Sequence, residues 1–326
     1  MKKMRTVLIF LIVFVFVLIL SSAGLAALNK VKVGIAIPAA DHGWAGGIVW
    51  YAKKGIADWQ KKDKNIDFFL ATADDATQQV NQVGDLMAKG IDALIIMVHD
   101  STALTPIAEK ASKEGIFIVT VNSPLKKSIE DIYITGDNPG LGRVSAKWMA
   151  EELKGQGDIV LLEGIPGMDN SKRIEAFKEV IKEYPGIKIL DSQPTYKSTQ
   201  KGFEIMESYL QKYKKIDAVW AQDDDILKGV LQAYQESGRK DIKFLLGGGG
   251  SKDIIKMIMA GDPLIRADVT YSPSMIATGI SMAVMSLRGQ KLTGFYQNNM
   301  PSKIILSAEL ITRENAKSYY TPESVF

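Results

Sequence analysis

The chain has 326 residues, of which 40 are Lys or Arg, 37 are Asp or Glu, two are His and none is Cys. The absence of cysteine excludes disulfides, thiolate catalysis, cysteine metal sites and the lipid-bearing cysteine of a lipoprotein. The net charge of +3 is carried by Lys2, Lys3 and Arg5, so the rest of the chain is neutral and does not indicate nucleic acid or an anionic membrane as a partner.

Residues 1–27 have the pattern of a signal peptide. The three basic residues precede an unbroken apolar stretch, 7–20, and small residues follow between Ser21 and Ala27. This order predicts export, with cleavage after Ala26 or Ala27. The alternative is a retained membrane anchor, for which the apolar stretch is short of the ~20 residues usually needed.

Beyond residue 30, short apolar runs alternate with amphipathic segments. Several runs are apolar throughout, which is typical of parallel strands buried on both faces. Segments such as 77–90, with Thr77 as the N-cap and Gly90 as the C-cap, predict helices, and the alternation predicts an α/β fold with parallel sheets. The predicted strands are 31–37, 66–71, 93–98, 116–121, 132–135, 158–162, 187–190, 218–221, 243–246 and 265–269.

The two halves of the chain resemble each other. Residues 88–104 align with 213–229 through a shared Ile-Asp-Ala, and residues 33–44 align with 159–170, both at an offset of about 125 residues. The offset predicts two α/β lobes of ordinary domain size, and the short turn region near 133–140 predicts a hinge between them. A predicted helix at about 274–288 follows the second half, so the chain is expected to cross between lobes more than once.

Polar and aromatic residues follow nearly every predicted strand. Ligands of open parallel sheets bind beyond the carboxyl ends of the strands, so these residues are expected to line a cleft. They are Asp41, His42, Trp44, Asp74, Asp75, His99, Asp100, Asn122, Ser123, Asp137, Asn138, Asp169, Asn170, Arg173, Tyr196, Asp223, Asp224, Asp225 and Tyr271.

Trp44 is one candidate for ligand contact. Its flat ring can cover the C–H face of a sugar while nearby polar groups take the hydroxyls, and the glycines at 43, 46 and 47 allow close approach. The alternatives are a hydrophobic plug for Trp44 and a turn residue for His42.

Arg173 and residues 223–225 are further candidates. A cation near the start of a helix is unfavourable to the helix dipole, and a guanidinium can donate to several hydroxyls. The alternative for Arg173 is a surface ion pair with Glu175 or Asp169. Of residues 223–225, one carboxylate suits neighbouring hydroxyls, with Asp223 favoured, and a later one suits an N-cap.

The Gly-rich stretch 244–253, "FLLGGGGSKD", has two interpretations. Free N–H groups there could hold a phosphate, but the Lys of a P-loop and the spaced glycines of a dinucleotide site are missing, which favours an ordinary tight turn. The chain has no Gly-x-Ser-x-Gly elbow, and nothing fixes a carboxylate pair at a glycosidase separation. We therefore predict no catalytic residues, no metal and no cofactor.

With these residues in view, the chain resembles the ribose-binding-like (type I) family of periplasmic sugar-binding proteins of ABC importers. The resemblance covers the chain from about Asn29 to the end. It rests on "VGIAIP", "QVNQVGDLMAKGIDALII", "AEKASKEGIFIVTVNS", "YITGDNPGLGRVSAKWM", "RIEAFKEVI" and "DAVWAQDDDILKGVLQAYQESGRKDIKFLLG". It implies two doubly wound parallel-sheet lobes joined by a three-crossover hinge, with residues 28–136 plus 271–299 in one lobe and 137–270 plus 300–326 in the other. The crossovers would lie near Gly136, Thr270 and Asn299.

The resemblance also implies site residues. Asn122 and Ser123 stand where the family often has an Asp-Arg pair, and Gly249 stands where many members have an Asp, so ribose is not carried over. Together with the strand-end analysis, the predicted ligand-binding set is His42, Trp44, Asp100, Asn122, Ser123, Asp137, Arg173, Tyr196, Asp223, Thr270 and Tyr271.

The function predicted from these residues is periplasmic capture of a monosaccharide or polyol between the lobes of a monomer, for delivery to the transmembrane subunits of an ABC permease. The alternatives are a chemosensory or autoinducer-binding protein, which would dock to a chemoreceptor, and an exported glycosidase-like enzyme. A repressor effector domain shares the fold, but the N-terminal segment is apolar where a DNA-binding helix pair would stand.

Overall fold

A computed structural model describes residues 29–40, 43–196, 198–290 and 301–326. Strands and helices alternate along most of this length. The strands are β1 (Val31–Pro38), β2 (Ile66–Ala73), β3 (Ala93–Ile96), β4 (Phe117–Val121), β5 (Ile132–Gly136), β6 (Gln156–Glu163), β7 (Gly186–Pro194), β8 (Ala218–Ala221), β9 (Phe244–Leu246), β10 (Ala267–Val269), β11 (Lys303–Leu306) and β12 (Leu310–Thr312). The helices are α1 (Gly43–Lys62), α2 (Ala76–Ala88), α3 (Ser101–Lys113), α4 (Asn138–Glu152), α5 (Met168–Ile181), α6 (Thr199–Lys212), α7 (Asp224–Ser237), α8 (Lys252–Ala260) and α9 (Met275–Leu287), with a 3₁₀ turn at Ala316–Ser318.

The first lobe is built on a parallel sheet with strand order β11-β5-β4-β3-β1-β2. Alternate side chains of one strand point to opposite faces of the sheet, and helices cover both faces, so side chains of both sets are apolar. Ile35 and Ile37 pack with α1 and α9, whereas Ala36 packs with α2 and α3. The fully buried central strands therefore read as continuous apolar runs.

The second lobe repeats this design on a parallel sheet with strand order β7-β6-β8-β9. Ile159 and Leu161 pack against α4 and α5, while Val160 and Leu162 pack against α6 and α7. The antiparallel pair β10-β12 lies beside it, joined to residue 249 through a bridge from Gly249 to Thr270.

The chain crosses between the lobes at three links, which lie side by side. Asp137 joins β5 to α4, residues 270–274 join β10 to α9, and residues 307–309 join β11 to β12. The Asp137 N–H donates to the Leu306 carbonyl at 2.9 Å, and the Thr270 N–H donates to the Glu309 carbonyl at 2.9 Å. These hydrogen bonds hold the three links together as one hinge.

One predicted boundary differs from the structure. The sequence placed the third crossover near Asn299 and assigned residues 300–326 to the second lobe. Strand β11 instead pairs with β5 in the first sheet, Ile304 opposite Ile134, so the crossing follows Leu306. The run "KIIL" has only three apolar residues, and alternate positions along it are exposed, so it differs from the strands that are buried on both faces.

The ten predicted strands and the helix near 274–288 are present, within a few residues. The predicted N-cap Thr77 is wrong, because Asp75 caps α2 by accepting from the Gln78 N–H at 2.8 Å. Within the described residues, no helix is long and apolar enough to cross a membrane. Residues 1–27, where the signal peptide is predicted, lie outside the described part of the chain.

Candidate functional site

Polar side chains converge where the two lobes meet, and all of them are buried except the half-buried Asn122. They come from the loop after β4, the start of α4, the second turn of α5, the end of β8 and the link that follows β10. The residues are Asn122, Asn138, Arg173, Gln222 and Tyr271. Below, this set is called the interlobe cluster.

Tyr271 connects the members of the interlobe cluster. Its hydroxyl donates to Asn122 Oδ1 at 3.0 Å and accepts from Asn138 Nδ2 at 3.4 Å, so it links the first lobe to the second. The ring lies directly against Gly136, since an added Cβ there would be 2.3 Å from a ring carbon. A larger residue at position 136 would displace the tyrosine.

Arg173 is a buried cation with neutral partners. It is 5% exposed, its Nε donates to Asn138 Oδ1 at 2.7 Å, and its Cζ lies 4.5 Å from the centre of the Tyr271 ring. Among the described residues no carboxylate lies within ion-pair distance of the guanidinium, which excludes the alternative of a surface pair with Glu175 or Asp169. Because guanidinium has five N–H donors, it retains donors for a further oxygen.

The Gln222 amide is buried, and both of its polar atoms lack a partner among the described residues. An unpaired buried polar group costs about 1–3 kcal/mol, so such a group is usually matched by something outside the chain. Its backbone carbonyl accepts from Arg173 Nη1 at 3.4 Å, so the Gln222 main chain lies beside the guanidinium.

Asn122 adopts a left-handed backbone conformation, with φ of 68°. Its carbonyl accepts from the Tyr133 hydroxyl at 2.9 Å, and its Nδ2 donates to Ser123 Oγ at 3.2 Å. Asparagine tolerates this conformation better than most residues, and the bend turns its side chain toward Tyr271. Asn122 and Ser123 are thus both part of the junction between the lobes.

Trp44 packs against the hinge. It is 8% exposed, its Nε1 donates to the Tyr271 carbonyl at 2.7 Å, and the two ring centres are 5.8 Å apart. The indole therefore belongs to the same cluster of side chains as the predicted site residues, and its contact with a ligand stays a prediction.

Three predicted site carboxylates cap helices. Asp100 accepts from the Ala103 N–H at 2.7 Å, Asp137 from the Gly140 N–H at 2.7 Å and Asp223 from the Asp225 N–H at 3.0 Å. Asp223 is 5% exposed and follows Gln222, so it can serve both as a cap and at the site. Asp100 is exposed, and neither it nor Asp137 is hydrogen bonded to the interlobe cluster within the described structure.

The remaining predicted residues lie in different surroundings. Thr270 ties two links of the hinge together, accepting from the Glu309 N–H and donating to the Ser307 carbonyl. Tyr196 is 61% exposed and has a φ of 56°, on the loop after β7. His42 lies outside the described residues.

The Gly-rich stretch is a tight loop whose N–H groups are already bonded. Asp224 accepts from the N–H groups of Gly248 and Ser251, and Asp268 accepts from that of Gly250. A phosphate would have to displace these carboxylates, so the structure favours the tight-turn interpretation.

The two carboxyl groups under this loop are fully buried and close to each other. Burial and the neighbouring Asp223 raise the pKa of Asp224 to about 6, against the lowering effect of its hydrogen bonds. Burial, followed by the Asp224 charge, raises the pKa of Asp268 well above its usual range. Both carboxyl groups therefore favour the protonated form more than an exposed aspartate does.

The first turns of α1 and α7 also bring the two lobes into contact. An added Cβ on Gly43, at the start of α1, would lie 2.5 Å from Asp225 Oδ2 in the first turn of α7. Gly43 has a φ of 60°, so glycine fits this position for two reasons. The structure is therefore a closed arrangement of the lobes.

Sequence reasoning left two cluster members out of the predicted set. Asn138 was noted as a strand-end residue, but its neighbour Asp137 was chosen. Gln222 precedes the aspartates that drew attention, and its position directly after β8 was the available signal. No group of three or more potential metal-ligating side chains occurs in the described ranges.

Comparison with known proteins gives a family. The model for a periplasmic binding protein domain matches residues 33–291. The chain belongs to the periplasmic binding protein family.

Relatives of the same family cover most of the chain. The galactofuranose-binding protein YtfQ of Escherichia coli is 30% identical over 88% of this chain and 89% of its own length. The ribose import binding protein RbsB of Bacillus subtilis is 30% identical over 69% of this chain and 72% of its own. The periplasmic binding protein of the arabinose ABC transporter from Shewanella sp. ANA-3, bound to L-arabinofuranose, is 27% identical with a TM-score of 0.75, covering 89% of this chain and 94% of that one. The type I fold predicted from the sequence is confirmed.

Proposed function

We propose that this protein captures a monosaccharide or polyol between its two lobes, outside the cytoplasmic membrane, and delivers it to the transmembrane subunits of an ABC importer. The observation that carries the proposal is the interlobe cluster: buried amides, a tyrosine hydroxyl and a guanidinium converge where the lobes meet. The relatives named for galactofuranose and ribose support the same class of ligand.

The chemistry of the cluster suits a neutral ligand with several hydroxyls. Asn122, Asn138 and Gln222 each offer both donors and acceptors, and Arg173 offers donors. A hydroxyl is both donor and acceptor, so a polyhydroxylated ring can satisfy groups of either kind, including the Gln222 amide. Among the described members of the site the neutral amides and hydroxyl outnumber the charged groups, Arg173 and Asp223, and this composition favours binding of a neutral polyhydroxylated compound.

A thermal-shift screen of residues 28–326 tests the proposal. The panel contains arabinose, ribose, galactose, xylitol, inositol and glycerol, together with methyl furanosides to represent the five-membered ring form. A ligand at 100 times its Kd stabilises the native state by about 2.7 kcal/mol, so a specific ligand gives a clear rise in Tm.

Recovery of the stabilising compound separates the candidate functions. A binding protein returns the compound chemically unchanged, whereas a glycosidase-like enzyme consumes a glycoside. If no sugar or polyol on the panel raises Tm at millimolar concentration, the proposed ligand class is wrong.

A further inference from the structure

The segment 321–326 runs from the second lobe to the first. It follows β12 and the 3₁₀ turn, both of which pack in the second lobe. Lys252 of α8 donates to the Ser324 carbonyl at 2.5 Å, and the Ser324 side chain is 1% exposed. The segment is thus anchored on the second lobe before its last residue, Phe326, is reached.

Phe326 lies between the lobes. It is 7% exposed and packs in the hydrophobic cluster that contains Trp44 and Tyr271. An added Cβ on Gly47 of α1, in the first lobe, would lie 2.8 Å from Phe326 Cβ. An added Cβ on Gly249, in the second lobe, would lie 3.0 Å from the far end of the ring, at Cζ.

The two glycines make this contact possible. Gly249 has a φ of 140°, and any side chain there would meet the phenyl ring or the Asp224 carboxyl. Gly47 lies within α1, where alanine would stabilise the helix more than glycine does. Its close approach to Phe326 and Pro273 is therefore a reason for glycine at this position. The ring is matched to one glycine in each lobe.

We propose that Phe326 is a non-covalent latch that favours the closed arrangement of the lobes. The three covalent links allow the lobes to hinge, and because the ring contacts Gly47 of the first lobe and Gly249 of the second, a movement that separates these two glycines must release the ring from one of them. Opening then exposes apolar surface that closure buries, and burial of a phenylalanine side chain favours the closed state. A role of the latch in ligand release rests on the proposed function. Its effect on the fraction of closed molecules can be measured without a ligand.

Distance measurement between the lobes tests the latch. The chain has no cysteine, so Thr102→Cys in the first lobe and Lys172→Cys in the second, both exposed, give two unique sites for spin labels. We expect Phe326→Ala to reduce the ratio of closed to open molecules about 10- to 100-fold in ligand-free protein. Val325→Ala is the matched control, because Val325 is adjacent, apolar and 49% exposed, and it should leave the distance distribution unchanged.

A second readout uses the sugar or polyol that gives the largest rise in Tm on the panel above. Phe326→Ala should accelerate its dissociation about tenfold or more, and Phe326→Leu should restore part of the slower rate. The latch is wrong if Phe326→Ala leaves the distance distribution unchanged, whether or not Tm falls, since a purely structural ring would change stability alone. Failure of every sugar to bind, with an altered distance distribution, would reject the proposed function and leave the latch supported.

Discussion

The Gln222 amide combines burial with a lack of partners among the described residues, which gives it a distinctive mutational signature. Gln222→Met has nearly the same shape and removes two unpaired polar atoms from the interior. We expect the free energy of unfolding of the ligand-free protein to rise by about 1 kcal/mol, while affinity for the cognate sugar falls about tenfold or more. Chemical denaturation and calorimetric titration of the same preparation measure the two effects.

Opposite signs are the informative result for this variant. If Gln222→Met lowered stability and left affinity intact, the Gln222 amide would be satisfied within the protein and would have no role in binding. Gln232→Met is a suitable control, since Gln232 lies on the outer surface of α7 and its amide is hydrogen bonded to Glu236.

Arg173 is expected to matter for the ligand more than for the fold. Arg173→Ala removes donors that bond neutral partners, and a charge-assisted hydrogen bond contributes about 1.5–3 kcal/mol, so Kd should rise about 10- to 150-fold. Arg173→Lys keeps the charge but loses the planar stacking on Tyr271, and should recover only part of the affinity. Lys172→Ala, at the adjacent exposed position, should bind like wild type in a titration; equal losses in both variants would indicate a general effect on α5.

At the level of the elements, the buried carboxyl pair of α7 and β10 predicts a dependence of stability on pH. The pKa of Asp224 is raised to about 6 in the folded protein, against about 3.9 for an unfolded aspartate, and that of Asp268 is raised as well. The native state then binds more protons than the unfolded state, so the free energy of unfolding should fall as pH rises from about 4 through 6 and beyond.

Asp268→Asn tests the pair directly. The asparagine amide of this variant can still accept from the Gly250 N–H and can donate to Asp224, so stability at pH 8 should rise and the decline between pH 5 and 8 should flatten. Urea denaturation across this pH range measures both. Asp253→Asn, at a side chain that is 68% exposed, should retain the wild-type slope, and an unchanged slope in Asp268→Asn would show that the pair does not bind the extra proton.

The internal repeat extends to the roles of individual aspartates. In the two Ile-Asp-Ala sequences, Asp92 accepts from the Lys32 N–H at 2.7 Å and Asp217 accepts from the Asp158 N–H at 2.9 Å, at the start of the central strands β1 and β6. Asp100 and Asp223 cap the helices that follow, although the residue aligned with Asp100 at this offset is Asp225. The shared Ile-Asp-Ala thus produces the same contact at a strand start in both lobes, while the helix caps come from positions that are not aligned.

Most of the strands could be predicted from the sequence, and part of the interlobe cluster could not. Buried strands have apolar runs, so β1 to β10 could be found from the sequence, whereas β11 and β12 are short and partly exposed and could not. At the site, Arg173 and Tyr271 were identified by type and position. Whether Asn138 and Gln222 join the interlobe cluster depends on which side of a strand end faces the other lobe. Tertiary packing sets that orientation, so the local sequence pattern does not reveal it.

At the scale of the whole molecule, Gly43 and Phe326 mark two places where the lobes touch. The Phe326 ring contacts Gly47 and Gly249, and Gly43 of α1 lies against Asp225 of α7. Gly43→Ala places a methyl group 2.5 Å from Asp225 Oδ2 and adds a strained left-handed conformation, which costs about 1–2 kcal/mol. We expect ligand affinity to fall at least tenfold, and small-angle scattering of the sugar-saturated protein to show a larger radius of gyration than for wild type.

A second substitution separates the effect on closure from the local strain. Asp225→Ala removes the opposing carboxylate, so the double variant Gly43→Ala/Asp225→Ala should recover the compact sugar-bound form. Its Tm should stay below that of wild type, because the backbone strain at position 43 remains. Gly84→Ala in α2 is the matched control, because an added Cβ there has open space and should stabilise the helix by up to about 1 kcal/mol without altering affinity. If Gly43→Ala bound sugar as tightly as wild type, the contact between Gly43 and Asp225 would not form in the ligand-bound state, and closure would depend on other contacts between the lobes.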